Sequence, residues 1–402
     1  MNTYSFMPRS LFDLSLTLMF ALMVIPNIIR PSIVGVFVAV MIYESVKRGA
    51  GFNLRRFLWD GSFYIVLVIS LMYTSNLGYG FQKLGTMSPL LIFPIGFAFF
   101  PQALISQAFD NLKKYQQIYI IAVVLLTVGQ FAYYFPHYKW TLLTHYPALV
   151  MKGLYRQHPL YLSTHIGLAI LFSWFLIKSE RNSKIVLFYC VLDAILLFFM
   201  FILLKKGPII TLFLLATLFL LLHKNKRILK LYLASIGLVV CAILVVPKLM
   251  DKFEQLSHIE TIGSGHINSV NIRYTIYGEA IKLIRHAPFF GYGVGDAKER
   301  LIKEYKPLSD MLYAKRYNSH DQYLGIILMV GGLGLIVFLG YLSYHFVLGI
   351  RYGNHILIFT ILIYGMFMLF ENMLEREDGV IFFAFFVGFY SIFNGQTANQ
   401  IE

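Results

Sequence analysis

The chain has 402 residues, 58% of them hydrophobic and only 13% charged, with a formal net charge of +14. An average soluble domain is about a quarter charged, so a string of soluble domains is excluded. The apolar residues fall in blocks such as Ile120–Phe135 and Ile185–Leu204, almost wholly apolar apart from Gln130 and Asp193 and not alternating, which excludes a transmembrane β-barrel.

In chain order, the apolar blocks predict twelve spans: roughly 10–29, 33–46, 62–76, 87–107, 117–136, 159–178, 185–204, 208–222, 229–247, 321–348, 354–370 and 379–394. The second and eighth are short enough to be tilted or partly re-entrant. Leu11–Ile29 reads as a retained first helix, because no small-residue cleavage site follows it. With the N-terminus in the cytoplasm, the inner loops carry Lys47, Arg48, Arg55 and Arg56, then Lys113 and Lys114, then Lys178, Arg181 and Lys184, then the basic run 223–230, then Arg351. That is the positive-inside bias, and it accounts for the net charge without invoking nucleic acid. Both termini are then cytoplasmic, and 137–158, 248–320 and 371–378 are outer loops. The fold class is therefore all-α integral membrane, one polytopic domain over 1–402 with about twelve transmembrane helices. Its large outer loop, 248–320, carries amphipathic helices. In that loop Ile272, Ile276, Ala280, Leu283 and Ile284 share one helical face, with Glu279, Lys282 and Arg285 elsewhere. Pro288, Gly291, Gly293 and Gly295 end that helix, and shorter helices are predicted around Leu249–Leu256 and Lys298–Tyr305. Cys190 and Cys241 lie within apolar blocks and read as buried thiols.

Several outer charges stand apart from the orientation bias. Lys205 and Lys206, followed by Gly207, sit between two spans with almost no loop. They are either snorkelling side chains or an anion site. Arg156 and His158 precede the sixth span, where Arg156 is an ordinary loop charge or part of the same site. Arg273 begins the amphipathic stretch, and His320 stands at the mouth of the tenth span as a helix-end polar residue or a proton acceptor. Convergent cations hold phosphate well, and a histidine beside them suits proton transfer near neutrality. The charged group Glu371, Glu375, Arg376 and Glu377 is either part of the outer rim or, as the favoured reading, a solvated turn between the last two spans. Gly291–Gly295 lacks the strand that a dinucleotide loop needs. No P-loop, no zinc spacing and no Asp-x-Asp pair occurs, so neither a metal nor a cofactor is expected.

The run from Asn271 and Arg273 through Glu279 and Ala280 to Pro288, Gly291 and Gly293, together with Asn318, His320, Tyr323 and Leu324 and then Gly331, Gly332 and Gly334, resembles the O-antigen ligase and O-antigen polymerase superfamily. The resemblance implies a polytopic, glycosyltransferase-C-like enzyme of the bacterial inner membrane that works at the periplasmic face. Its donor would be a glycan on undecaprenyl diphosphate. The acceptor would be a sugar hydroxyl, on lipid A-core for a ligase or on another lipid-linked glycan for a polymerase. The reaction would be inverting and metal-independent. Carried over, His320 matches the proposed base and Arg273 a functional periplasmic arginine. Arg156, with His158 beside it, matches an arginine of the earlier loop, and Lys206 with Gly207 stands where many relatives carry an Arg-Gly or Arg-Ala pair at the start of a span, so lysine replaces the arginine there. Asp321 replaces the usual asparagine after the histidine, where it either raises the imidazole pKa or caps the following helix. A transporter or a non-catalytic assembly subunit are the competing readings; two similar halves, expected of the former, are not seen.

Overall fold

The computed structural model describes residues 8, 10–203, 205–245 and 268–394. The helix expected at Leu249–Leu256, the first part of the 248–320 loop and the end of the ninth span lie outside the described residues, as does the side chain of Cys241. Among the described residues the regular structure is entirely helical. The first half comprises α1 (Leu11–Phe20), α2 (Arg30–Lys47), α3 (Leu54–Asp60), α4 (Ser62–Ile69), α5 (Leu77–Met87), α6 (Pro89–Ala98), α7 (Gln102–Asp110), α8 (Leu112–Tyr138) and α9 (Leu142–Leu149). Then come α10 (Pro159–Ser179), α11 (Ser183–Ile202), α12 (Lys206–His223), α13 (Lys226–Val245), α14 (Ser269–His286), α15 (Ala297–Tyr305), α16 (Asp310–Lys315), α17 (Gln322–Arg351), α18 (His355–Phe367) and α19 (Glu377–Ser391).

Five stretches are long and apolar enough to cross a membrane alone: Leu112–Leu149, α10, α11, α12 and α17. The number rises to seven if α3 with α4 and α6 with α7, bent by 64° and 109°, each count as one span. The protein is thus an all-α membrane protein whose predicted spans are partly broken. The span expected at 87–107 turns at Pro101, because a proline disfavours helical backbone in the residue before it. The span expected at 10–29 is a ten-residue helix followed by a short 3-10 turn. By contrast α2 and α12 are longer than the apolar runs suggested, 18 residues each.

α10 runs through the centre, buried almost throughout, against α8, α11, α12 and α18. α19 is equally buried and packs on α6 and α18, with Phe385, Phe386 and Phe389 meeting Phe20 edge-on. Buried ion pairs tie distant helices. Lys114 lies 2.9 Å from Asp13, which also accepts from the Tyr115 hydroxyl, so this lysine is no loop charge but a link from α8 to α1. Arg30 reaches Asp378 at 2.8 Å, and His345 reaches Asp60 at 2.9 Å. Buried charges persist in such surroundings only when paired. Cys190 is a free, half-buried thiol.

The segments predicted as outer loops meet at one end of the bundle. His158 begins α10 there, next to Arg376, Glu377 and Asp378. The basic residues predicted as inner gather at the other end, where Lys178 in the last turn of α10 meets His223 and Arg227 donates to the Glu180 carbonyl.

Candidate active site

The scaffold of the site is a joint between α14 and α17. α14 stops at His286, just before Pro288, and the chain turns through Gly291 and Gly293, both at positive φ. α17 is broken at Gly331, whose φ is 68°. The turn fills the break. Gly332 N–H donates to the Pro288 carbonyl at 2.7 Å, and Leu333 N–H to that of Phe289 at 3.3 Å. In return Tyr292 and Gly293 donate to the Leu328 and Met329 carbonyls at 2.8 and 2.9 Å. The backbone groups that the break frees are thereby satisfied, which a membrane-buried helix requires. A Cβ on Gly331 would stand 2.0 Å from the Phe289 carbonyl oxygen, and one on Gly291 2.6 Å from that of Leu328. The two glycine motifs of the sequence are the two halves of one joint.

α14 is amphipathic as expected: Ile276, Ala280 and Leu283 are buried, and Ile272 and Ile284 pack beside them. Glu279 departs from the pattern, because it is also buried and its carboxylate meets Lys282 at 2.7 Å. The predicted helix at Lys298–Tyr305 is α15.

Near its start α14 presents Arg273 and, one turn later, Tyr277 to the histidine loop. Arg273 donates to the Phe370 carbonyl at 3.2 Å. The Tyr277 hydroxyl donates to the carbonyl of His320 at 3.2 Å. Burial lifts the Tyr277 phenol to about 12, while Arg273 pulls against the shift and Asp321 and Glu371 add to it.

His320 sits at φ 47°, a left-handed conformation uncommon outside glycine. Its N–H donates to Asn318 Oδ1 at 3.2 Å, and its Nδ1 faces Glu371 Oε2 at 3.3 Å. Asp321 takes the second of its two expected roles: it N-caps α17, accepting from Leu324 N–H at 2.9 Å. Glu371, read from the sequence as part of a solvated turn, is only 3% exposed. The first part of the turn, from Glu371 to Leu374, is sequestered because the loop before α17 is stitched to it, while Arg376 and Glu377 stay exposed as expected. Asn372 donates to Ser319 at 2.9 Å, Leu374 N–H to Gln322 at 2.7 Å, and Lys83 pairs with Glu375 at 2.5 Å.

The remaining cations surround this pair. α12 begins at Lys206, and its Gly207 abuts the Phe370 ring, so Lys205 and Lys206 enter beside the Arg273 contact. His158 caps the N-terminus of α10. Burial lowers its pKa to about 4; Glu371 opposes the shift, and Arg376, Lys205 and His320 reinforce it. Arg156, Gln157 and His158 face Arg376 and Asp378 across an open cavity of about 570 Å³. All the sequence-predicted site residues are thus gathered at one end. Glu371, Tyr277 and Arg376 were missed, and the only sequence signal for the first and last was a dense run of charge between two spans.

Residues 191–339 match the family of O-antigen ligases. The match supports a likeness of this segment to the O-antigen ligase and polymerase superfamily. It spans a little over a third of the chain and takes in Lys205, Lys206, Arg273, His320, Asp321 and both halves of the glycine joint. Arg156, His158 and Glu371 lie outside it and reach the family segment only through the fold. No curated protein matches the chain.

Proposed function

We propose that this protein is an O-antigen ligase-type glycosyltransferase of the bacterial inner membrane. It moves a glycan from undecaprenyl diphosphate to a sugar hydroxyl of lipid A-core, by a metal-independent, inverting reaction. The observation that carries the reading is the convergence of His320 with Arg273, Lys205 and His158 beside the cavity that Arg156 lines. The proposed topology has twelve spans, both termini in the cytoplasm and the cavity at the periplasmic face, with 248–320 covering it.

In this scheme Arg273, Lys205, Lys206 and Arg156 hold the diphosphate and neutralise the charge that builds up as it leaves. His158, held neutral by burial, donates or accepts a hydrogen bond at the glycan. His320 takes the proton of the acceptor hydroxyl while that oxygen bonds to the anomeric carbon. The carbon–phosphate oxygen bond breaks on the opposite face, and its electron pair leaves on the diphosphate. Asp321 contributes the cap that sets the histidine loop.

The test is deletion of the gene in its native host, with both lipid A-linked and carrier-linked glycans resolved on a gel. Full-length polymer left on the carrier, with bare lipid A-core, is expected. Single repeat units on lipid A-core would make the protein a polymerase, and unchanged glycans of both kinds would overturn the reading. A second prediction concerns the donor site: Arg273→Ala is expected to weaken binding of the lipid-linked donor more than Arg273→Lys, because lysine keeps the charge but loses the two-pronged geometry. Titration of both purified variants with donor checks this, and equal, unimpaired binding would remove Arg273 from the site.

A further inference from the structure

We propose that Glu371 is a positioning residue for His320: its carboxylate accepts the proton-bearing Nδ1 of the imidazole and leaves Nε2 to take the acceptor's proton. The inference rests on the function proposed above.

The geometry comes from two loops that are 51 residues apart in sequence. Glu371 Oε2 faces His320 Nδ1 at 3.3 Å, while Oε1 accepts from Asn372 N–H at 3.3 Å. The carboxylate is buried, and its ion-pair partner within 4 Å among the described residues is this histidine. Both loops are pinned from outside the pair. Gln322 N–H donates to the Met368 carbonyl at 2.8 Å, and Tyr161 donates to that of Asn372 at 2.9 Å. The carboxylate therefore has little freedom to swing away.

Its electrostatic surroundings favour the ionised form. α10 contributes His158 and Tyr161, α12 is preceded by Lys205, α14 contributes Arg273 and Tyr277, and the chain itself adds Glu375 and Arg376. Asp321 lies beyond the histidine. Burial works to raise the Glu371 pKa, but the hydrogen bond and charge of a protonated His320, with Arg376 behind them, pull it below the usual carboxylate range. Glu371 is thus favoured in its ionised form whenever His320 carries the second proton. A fixed anion at Nδ1 selects one tautomer of the neutral imidazole. It also stabilises the imidazolium that forms when Nε2 gains the proton. The carboxylate itself gains no proton in the step.

The test uses the full-length protein in detergent with lipid-linked donor and acceptor, and measures kcat and KM from about pH 5 to 9 for wild type, Glu371→Gln, Glu371→Asp and His320→Ala. Glutamine keeps the size but not the charge. Glu371→Gln is expected to lower kcat by about 10- to 1,000-fold, within the range of a general-base contribution, with KM for the donor nearly unchanged. The sign of the pH effect follows from the charge. Removing a neighbouring anion makes the imidazole easier to deprotonate, so the acid limb of the kcat profile moves to lower pH. Glu371→Asp keeps the charge at a longer distance and is expected to retain the wild-type acid limb with an approximately tenfold lower kcat. Wild-type kcat and an unmoved profile in Glu371→Gln, with His320→Ala inactive, would overturn the positioning role alone. Wild-type turnover by His320→Ala would overturn the base assignment beneath it. If the glutamine variant fails to fold, the aspartate variant decides, and unaltered kcat there overturns the proposal.

Discussion

His320→Ala is expected to abolish detectable glycan transfer while the protein still inserts and folds. The side chain stands in a loop ahead of α17 rather than in the packed interior, and its contacts include a hydrogen bond to Glu371 and a tilted contact with the Tyr317 ring. Removing it deletes no large apolar contact, so the structural cost is small. The chemical cost is the loss of the group that takes the acceptor proton, about 100- to 10,000-fold in rate. The left-handed backbone at this residue adds a second argument. A strained conformation of this kind costs about 1–3 kcal/mol and is kept where the surrounding structure over-determines it. Here the Asn318 side chain and the Tyr277 hydroxyl hold the residue's N–H and carbonyl, and both contacts survive truncation of the imidazole. Transfer measured with purified donor and acceptor, beside a membrane-insertion control, checks this. Wild-type transfer by a well-inserted His320→Ala protein would remove the residue from the chemistry.

Gly331→Ala is expected to be the most damaging single-methyl substitution in the α14–α17 joint. The added Cβ would meet the Phe289 carbonyl oxygen at 2.0 Å and the Phe290 nitrogen at 2.4 Å. Both are backbone atoms, which no rotamer change can move aside. The residue's φ of 68° adds a conformational penalty of about 1–2 kcal/mol for any side-chain-bearing residue. With overpacking of about 1–3 kcal/mol, the total loss is about 2–5 kcal/mol. The turn must then leave the break, exposing the N–H groups of Gly332 and Leu333 to an apolar setting. Since the turn is the C-terminal anchor of α14, transfer is expected to fall with stability. Thermal unfolding in detergent, read with transfer activity, tests this. Gly332→Ala is the control, because its Cβ would approach Pro288 oxygen no closer than 3.2 Å. A wild-type unfolding midpoint in Gly331→Ala would refute the account of the joint.

Hydropathy alone was enough to identify a polytopic helical membrane protein, because twenty-residue apolar blocks have no other low-energy use. The amphipathic period of α14 and the helix at Ala297–Tyr305 were equally legible, since each depends on residues within a few turns of one another. So was the candidacy of Arg273 and His320, whose residue types and flanking motifs lie within one segment. Where a helix bends was less legible: α6 and α7 read as one apolar run, and although Pro101 favours a break, the 109° turn shows only with the two helices packed against α2, α8 and α19. Pairing across the chain was not legible at all. Nothing near Lys114 announces Asp13, nothing near Gly331 announces Phe289, and nothing near His320 announces Glu371. A charge run between two spans reads the same whether it is solvated or folded inward, because its burial is decided by what packs over it. Local propensity and hydropathy set the elements; which polar groups become buried partners is a property of the assembled bundle.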